Sequence, residues 1–228
     1  MFLKTAVGVD ITYNRAYVVC LKAGLKAPVL VAADQLNFQH AHSRKYALQK
    51  DAEFVTRFLK LHGSPGQPVY LSMPGENALL RVIELPIVAK ENLHHTLLYE
   101  MEKYVPLPAE DIYFDHQILK EDKGAGKLTV ILYAMPKTAL SGGLRISESL
   151  DISGIEIAAT TVTNYLLESG GISDSACLFA YGREDGVDIG VIQDKRLIYA
   201  QWLPSDPSKD SPSKALKAEV ERLNRVFF

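Results

Sequence analysis

The stretch "TAVGVDITYNRAYVVC" (residues 5–20) predicts a strand, a tight turn and a second strand. Gly8 and Asp10 are typical of the start of a phosphate-binding hairpin, where glycine admits backbone N–H groups to a phosphate and aspartate holds the water shell of Mg²⁺. A further glycine followed by a hydroxyl is expected next, but the chain has Ile11 and Thr12. The hairpin therefore either binds a nucleotide or keeps only the shape of one that did.

The same pattern returns near the end of the chain, and we interpret the two outer sections as repeats of one unit. "ACLFAYGREDGVDIGVIQDKRLIYAQWLP" (176–204) predicts strand, turn, strand, turn, strand, and "SPSKALKAEVERLNRVFF" (211–228) predicts an amphipathic helix. The opening section adds a third strand, "PVLVAADQL" (28–36), a helix from Asp51 to His62 and a strand in "QPVYLSMPG" (67–75). Asp51 is the expected N-cap and Gly63 the expected stop.

The middle of the chain has a different character. "ALLRVIELP" (78–86), "IYFDHQILKED" (112–122) and "KLTVILYAMP" (127–136) predict strands, and a helix lies between the first two. In that helix the apolar positions recur from Leu93 to Val105, until Pro106 ends it. A second helix is expected from Lys137 to Leu150. These elements form a compact α+β subdomain inserted between the repeats.

Composition limits the function classes. The 228 residues are 47% hydrophobic and carry a formal net charge of -2, with basic residues scattered, which argues against nucleic-acid binding. No stretch approaches the roughly 20 apolar residues of a membrane span, and no signal peptide is recognisable. The two cysteines lie in apolar runs, as expected of a reduced, cytoplasmic setting.

Two hairpin repeats separated by an α+β module resemble the actin-like fold of sugar kinases, the Hsp70 ATPase domain and FtsA. The middle segment resembles that of the type IV pilus protein PilM and the cytoplasmic domain of the type II secretion protein GspL. Its matching residues are Leu85, Pro86, Glu100, Tyr104, Pro106 and Asp115. The fold class implied is α/β, an actin-like (ribonuclease H-like) fold with an inserted FtsA/PilM-type subdomain. Its core would comprise residues 1–78 and 156–228, and the insertion residues 79–155.

The resemblance also implies partners and a location. A GspL/PilM-type protein is a scaffold at the cytoplasmic face of the bacterial inner membrane. It would hold a bitopic PilN- or GspM-like membrane protein and the secretion or pilus assembly ATPase, with a homo-oligomer also open. The chain stops within or just after its last helix, so the C-terminal part of the fold is expected to be incomplete. Whether the natural chain continues to a membrane segment, and which of the two systems it serves, stay open.

Nucleotide chemistry is expected to be degenerate. Aligning the second hairpin with the first puts Ala180, Tyr181 and Gly182 where aspartate, an aliphatic residue and glycine should stand. Asp188 falls too late, in the outgoing strand, unless the register is shifted. The vestigial nucleotide-binding residues would be Gly8, Asp10, Thr12 and Gly182. No catalytic residue, metal site or cofactor is predicted, and an ATP- and Mg²⁺-binding ATPase or switch of the PilM or FtsA type is the alternative.

Recognition is expected on the middle module, near Leu85, Pro86, Glu100, Tyr104 and Pro106, and in the groove between the first unit and that module. Other candidates have simpler interpretations. His40 and His42 fit a solvated loop better than a zinc site, and adjacent His94 and His95 face different directions on a helix. Ser141 lacks the context of a nucleophile turn. Glu100 and Glu102, read as paired carboxylates, more simply line a solvated helix face.

Overall fold

A computed structural model describes residues 4–12, 15–25, 27–37, 44–63, 66–140, 151–172, 176–183, 186–204 and 212–228. The chain divides into two compact units. Unit 1 comprises Met1–Pro74 and Leu140–Ala158, and unit 2 comprises Gly75–Ala139 and Ala159–Phe228. The predicted bounds of the inserted subdomain, residues 79–155, stay a prediction.

Runs of strands are separated by helices along the described chain. The strands are β1 (Thr5–Ile11), β2 (Arg15–Lys22), β3 (Val29–Asn37), β4 (Val69–Met73), β5 (Leu79–Pro86), β6 (Ile112–Asp122), β7 (Lys127–Pro136), β8 (Ile152–Ile157), β9 (Ala176–Gly182), β10 (Gly186–Gln193) and β11 (Arg196–Pro204). The α-helices are α1 (Arg44–His62), α2 (Leu93–Glu100), α3 (Ala158–Glu168) and α4 (Pro212–Phe227). Short 3₁₀ turns flank α2 and follow β4.

Unit 1 is built on a five-stranded sheet of order β3-β2-β1-β4-β8. The three strands β1, β2 and β3 form an antiparallel meander, and β4 and β8 extend the sheet in parallel. Alternate residues of β1 and β2 are buried, as the pleat requires of a strand with one face on the core. Helix α1 packs against β2 and β3 and contributes Phe54, Val55 and Phe58 to the buried core.

Unit 2 contains two three-stranded antiparallel sheets. In the sheet of order β5-β7-β6, α2 and the residues after it cover one face, with Leu93, Leu97, Met101 and Val105 buried. In the sheet of order β11-β10-β9, α4 covers one face, and its Leu223 packs against β10. The second meander thus has the same strand order as the first, as two copies of one unit would have.

The predicted strands of all three sections are present. Two elements were not predicted, β8 and α3. The sequence "ISGIEI" of β8 is short and contains Gly154, which weakens a strand pattern. The structure gives the reason for the glycine, since a Cβ there would lie 3.1 Å from Cδ1 of Tyr70 in the neighbouring strand.

The helix predictions need two corrections. Asp51 is not the N-cap of α1, because the helix begins seven residues earlier, at Arg44. The segment "RKYALQK" (44–50), which directly precedes Asp51, consists mostly of good helix formers, so the helix continues upstream of the predicted cap. The second helix stops being α-helical at Glu100 and tightens into a 3₁₀ turn over Met101–Lys103, before Pro106. Of the helix expected over Lys137–Leu150, residues 137–140 are helical, and residues 141–150 lie outside the described residues.

Candidate functional site

The first hairpin closes its turn with a hydroxyl. The backbone N–H of Thr12 donates to the carbonyl of Arg15 at 2.9 Å, and the Arg15 N–H donates to Thr12 Oγ1 at 3.2 Å. Thr12 Oγ1 also lies 3.2 Å from the Arg15 carbonyl oxygen, to which it donates. The hydroxyl predicted to reach a phosphate therefore serves the turn itself.

Gly8 and Asp10 lie within strand β1. Asp10 pairs with Tyr17 of β2 on one side and with buried Ser72 of β4 on the other, and it is partly exposed. A Cβ added to Gly8 would meet Val19 Cγ1 at 3.4 Å, an ordinary contact. Packing alone therefore does not demand a glycine at position 8.

The first turn of the second hairpin differs from the predicted alignment by one residue. Ala180, Tyr181 and Gly182 end β9 and pair with Ile189, Asp188 and Val187 of β10. Counted from the turn, Tyr181 rather than Ala180 matches Asp10, because Gly182–Val187 and Ile11–Ala16 are the last pairs of their hairpins. Asp188 lies in the outgoing strand, as predicted, and Glu184 and Asp185 of the turn lie outside the described residues. The turn closes through the N–H of Arg183, which donates to the carbonyl of Gly186 at 2.7 Å.

Asp188 is committed to a buried ion pair. Arg183 Nη2 donates to Asp188 Oδ2 at 2.6 Å, and the two side chains are 3% and 2% exposed. The neighbouring backbone is closely packed, because a Cβ on Gly75 would lie 2.5 Å from Asp188 Oδ1. A guanidinium thus occupies the position beside this carboxylate that a cation would need.

Trp202, on the neighbouring strand β11, lies beside the Arg183–Asp188 pair. It pairs with Asp188 across β10 and β11, and its ring lies over Gly186, where an added Cβ would be 2.6 Å from Cε2. Three buried nitrogens of Arg183 and Trp202 have no hydrogen-bond partner within the described part of the chain, namely Arg183 Nε, Arg183 Nη1 and Trp202 Nε1. Buried donors without acceptors are costly, so the ion pair neutralises charge here more than it adds stability.

The predicted recognition residues of the module are in three different environments. Leu85 is buried in the core cluster between sheet and helix, and Tyr104 packs against that cluster. Pro86 ends β5, and it and Pro106 are exposed. The Tyr104 hydroxyl donates to Glu100 Oε2 at 2.9 Å, and Lys103 Nζ donates to Glu100 Oε1 at 2.7 Å.

These contacts set the electrostatics of the module. The hydrogen bond from Lys103, followed by that from Tyr104, lowers the pKa of the Glu100 carboxyl below its ordinary value. Burial, followed by the bond to Glu100, raises the pKa of Tyr104. Glu100 is therefore a charged acceptor that orients Tyr104, while Glu102 is exposed and points to no shared site with it.

Comparisons with known proteins give one partial sequence match and several similar folds. No family model matches the sequence. The type II secretion system protein L of Xanthomonas campestris is 30% identical over 97 residues, which cover 41% of this chain and 25% of that protein. The structure of the PilM–PilN type IV pilus biogenesis complex matches 96% of this chain and 66% of its own, with a TM-score of 0.69 and 17% identity.

A second solved structure is the cytoplasmic domain of EpsL, an inner membrane component of the type II secretion system of Vibrio cholerae. It matches 88% of this chain and 71% of its own, with a TM-score of 0.53 and 13% identity. A Bacteroides thetaiotaomicron protein with an actin-like ATPase fold matches 99% of this chain and 78% of its own, also with a TM-score of 0.53, at 12% identity. The chain has an actin-like fold. Its resemblance to the GspL and PilM proteins is confirmed.

Two of the remaining candidates, His94 and His95, lie within the described residues. The rings of His94 and Phe114 stack with centroids 4.7 Å apart, whereas exposed His95 meets His94 edge-on, so the two histidines face different directions as predicted. No group of three metal-ligating side chains occurs among the described residues. His40, His42 and Ser141 lie outside them. No described helix is long and apolar enough to cross a membrane.

The Arg183–Asp188 pair was missed in the sequence. Asp188 was recognised as misplaced for a phosphate turn, but its partner was not found. The spacing could have revealed the pair. Arg183 directly follows β9 and Asp188 lies near the start of β10, so the two side chains can meet across the strand pair. Gly75 gave no local signal, since the atom that it accommodates belongs to a residue more than a hundred positions away.

Proposed function

We propose that this chain is a non-catalytic cytoplasmic scaffold of a bacterial type II secretion or type IV pilus assembly platform, acting at the inner face of the inner membrane. The observation that carries the proposal is the second hairpin. Ala180 and Tyr181 stand where a metal-binding carboxylate is needed, and Asp188 is held by Arg183. The similarity to a secretion protein L and to PilM supplies the biological context.

The physical reason for excluding catalysis is charge. Phosphoryl transfer depends on positioning and on neutralising the phosphate oxygens through Mg²⁺ and backbone N–H groups. The chain keeps Asp10, but the Thr12 hydroxyl is bonded within its own turn, and Tyr181 stands at the position of the second hairpin that matches Asp10. Loss of one such group typically costs about 3 kcal/mol of transition-state stabilisation. Because several phosphate- and metal-binding groups are absent from the expected positions, binding of partner proteins is the function that the residues support.

The partners proposed are a bitopic inner-membrane protein of the PilN or GspM type and the assembly ATPase. PilM forms a complex with PilN, which supports the first of these. Because Leu85 is buried, contact on the module would go through exposed Pro86 and Pro106 and through the Glu100–Tyr104 pair. Leu85 would then support this surface from beneath.

The proposal is tested by titrating the full chain with a fluorescent peptide of the cytoplasmic tail of the PilN-like protein from the same genome. Pro86→Arg and Pro106→Arg should each weaken binding at least tenfold, since a buried contact is replaced by an unpaired charge. Tyr165→Arg is the matched control, because Tyr165 of α3 is 70% exposed and outside this surface. Equal affinity of all variants would contradict the proposed binding surface on the module. Hydrolysis of Mg-ATP by the chain would contradict the proposed non-catalytic scaffold function.

A further inference from the structure

The tip of the β2–β3 hairpin exposes a cluster of large apolar side chains. Single exposed apolar residues are ordinary on protein surfaces, whereas a contiguous patch marks an interaction site. Leu25, in the turn, is 101% exposed, and Leu21 of β2 lies directly opposite Leu30 of β3. The exposed members are Leu21, Leu25, Val29, Leu30 and Val31.

This tip extends beyond the packed part of the sheet. Residues 29–31 are consecutive in a strand, so their side chains alternate between the two faces of the sheet. All three are nevertheless exposed, by 55%, 60% and 47%, which means that the described part of the chain covers neither face there. The strand β3 is also the edge of its sheet.

The charged residues of the sequence that forms the tip are basic. Residues 16–33 contain Lys22 and Lys26 and no acidic residue, although the whole chain carries a net charge of -2. The carbonyl of exposed Lys4 accepts a hydrogen bond from the N–H of Ala23 at 2.8 Å, which brings a further lysine to the base of the turn. Exposed apolar side chains flanked by lysines are typical of a membrane-surface site, where the apolar groups enter the acyl-chain region and the lysines contact anionic headgroups.

We propose that the β2–β3 tip inserts Leu25 and its apolar neighbours into the surface of an anionic bilayer, with Lys4 and Lys22 on the headgroups. A second copy of the chain fits this patch less well. In a two-fold contact the same surface meets itself, so the lysines would face their own like charges. The tip belongs wholly to unit 1, and the inference does not depend on the proposed function.

The test is co-sedimentation of the full chain with vesicles of mixed phosphatidylglycerol and phosphatidylethanolamine, compared with phosphatidylcholine alone. The chain should bind the anionic vesicles, and more weakly as salt is raised. Leu25→Ser should weaken binding at least tenfold, and Lys22→Ala about fivefold. Leu25 is fully exposed, so its replacement should leave the melting temperature unchanged.

Matched controls come from exposed residues of unit 2. Val88→Ser removes an apolar side chain that is 74% exposed, and Lys123→Ala removes an exposed lysine from the polar tip of the β6–β7 hairpin. Both should bind vesicles within twofold of the parent chain. Three results would overturn the inference: equal binding to phosphatidylcholine, no effect of Leu25→Ser, or a dimer in sedimentation velocity that Leu25→Ser dissociates. The Leu25→Ser variant should bind the partner peptide normally, which separates this inference from the proposed function.

Discussion

Both repeats close their first hairpin with a backbone hydrogen bond, but the first, β1–β3 with α1, adds the Thr12 hydroxyl, whereas the second, β9–β11 with α4, has a buried ion pair beside its turn. In the first, Thr12 and Arg15 are joined through hydroxyl and backbone atoms. In the second, Arg183 and Asp188 form a buried ion pair. Further along the second meander, Tyr199 of β11 donates to Glu219 of α4 at 2.8 Å.

Both repeats nevertheless have the same antiparallel strand order. The meander is set by the alternation of apolar residues and by register, which do not depend on the chemistry of the turn. Turn residues can therefore differ without changing the strand order. The comparison teaches that the same meander can form with a hydroxyl in one turn and an ion pair beside the other.

The largest expected effect comes from breaking the buried pair. Asp188→Ala leaves the Arg183 guanidinium buried without its carboxylate and should lower the free energy of unfolding by about 3–5 kcal/mol. Asp10→Ala, at a partly exposed position of the first repeat, should cost less than half as much. Urea unfolding followed by Trp202, the only tryptophan of the chain, reports on the second repeat directly.

A double replacement separates charge from packing. Arg183→Met with Asp188→Leu removes both charges and should recover most of the stability lost in Asp188→Ala, because an uncompensated buried charge is the main cost. A double variant as unstable as Asp188→Ala would contradict this expectation. It would show that the uncompensated charge is not the main cost, and that hydrogen bonding and packing of the pair account for its effect.

Glycine replacements test packing at the second turn. Gly186→Ala would place a Cβ 2.5 Å from the Leu203 carbonyl oxygen and 2.6 Å from the Trp202 ring, and should cost about 1–3 kcal/mol. Gly182→Ala is the matched control, since its Cβ would have no atom of the described chain within 4 Å. Comparable losses in thermal unfolding for both would show that Gly182 is retained for the fold.

The hydroxyl of the first turn should contribute less. Thr12→Ala removes both side-chain hydrogen bonds to Arg15 and should lower the free energy of unfolding by about 1 kcal/mol. Thr12→Ser keeps the hydroxyl and should be close to the parent chain. Equal stability of Thr12→Ala and the parent in urea would mean that the turn closes through its backbone alone.

Alkaline pH should loosen the second repeat in a graded way. Burial, followed by the hydrogen bond to Glu219, raises the pKa of Tyr199 from 10.0 to about 12. The folded state thus favours the neutral phenol, a stabilisation that is complete below pH 10 and is lost as pH rises towards 12. Trp202 fluorescence should follow this loss. Tyr199→Phe should abolish the part of the alkaline destabilisation that comes from ionisation of the Tyr199 phenol. An unchanged profile in Tyr199→Phe would assign the transition to other groups.

Local patterns predicted the strands of the two meanders and of the module, because apolar alternation and tight turns are properties of adjacent residues. What escaped prediction involves distant residues. Gly154 makes β8 look weak until Tyr70 is placed beside it, and Gly75 is explained only by Asp188. The start of α1 was wrong because helix propensity continues upstream of Asp51. The recognition residues of the module remain a prediction.

The most direct measurement of the central claim is calorimetric titration of the chain with Mg-ATP and a non-hydrolysable analogue, repeated on Asp10→Ala. If the two hairpins have each lost part of the phosphate site, neither protein should give binding heat at millimolar nucleotide. Micromolar binding that Asp10→Ala abolishes would contradict this account. It would show that the first hairpin still holds Mg²⁺ and a phosphate, and would favour a nucleotide-dependent switch of the PilM or FtsA type.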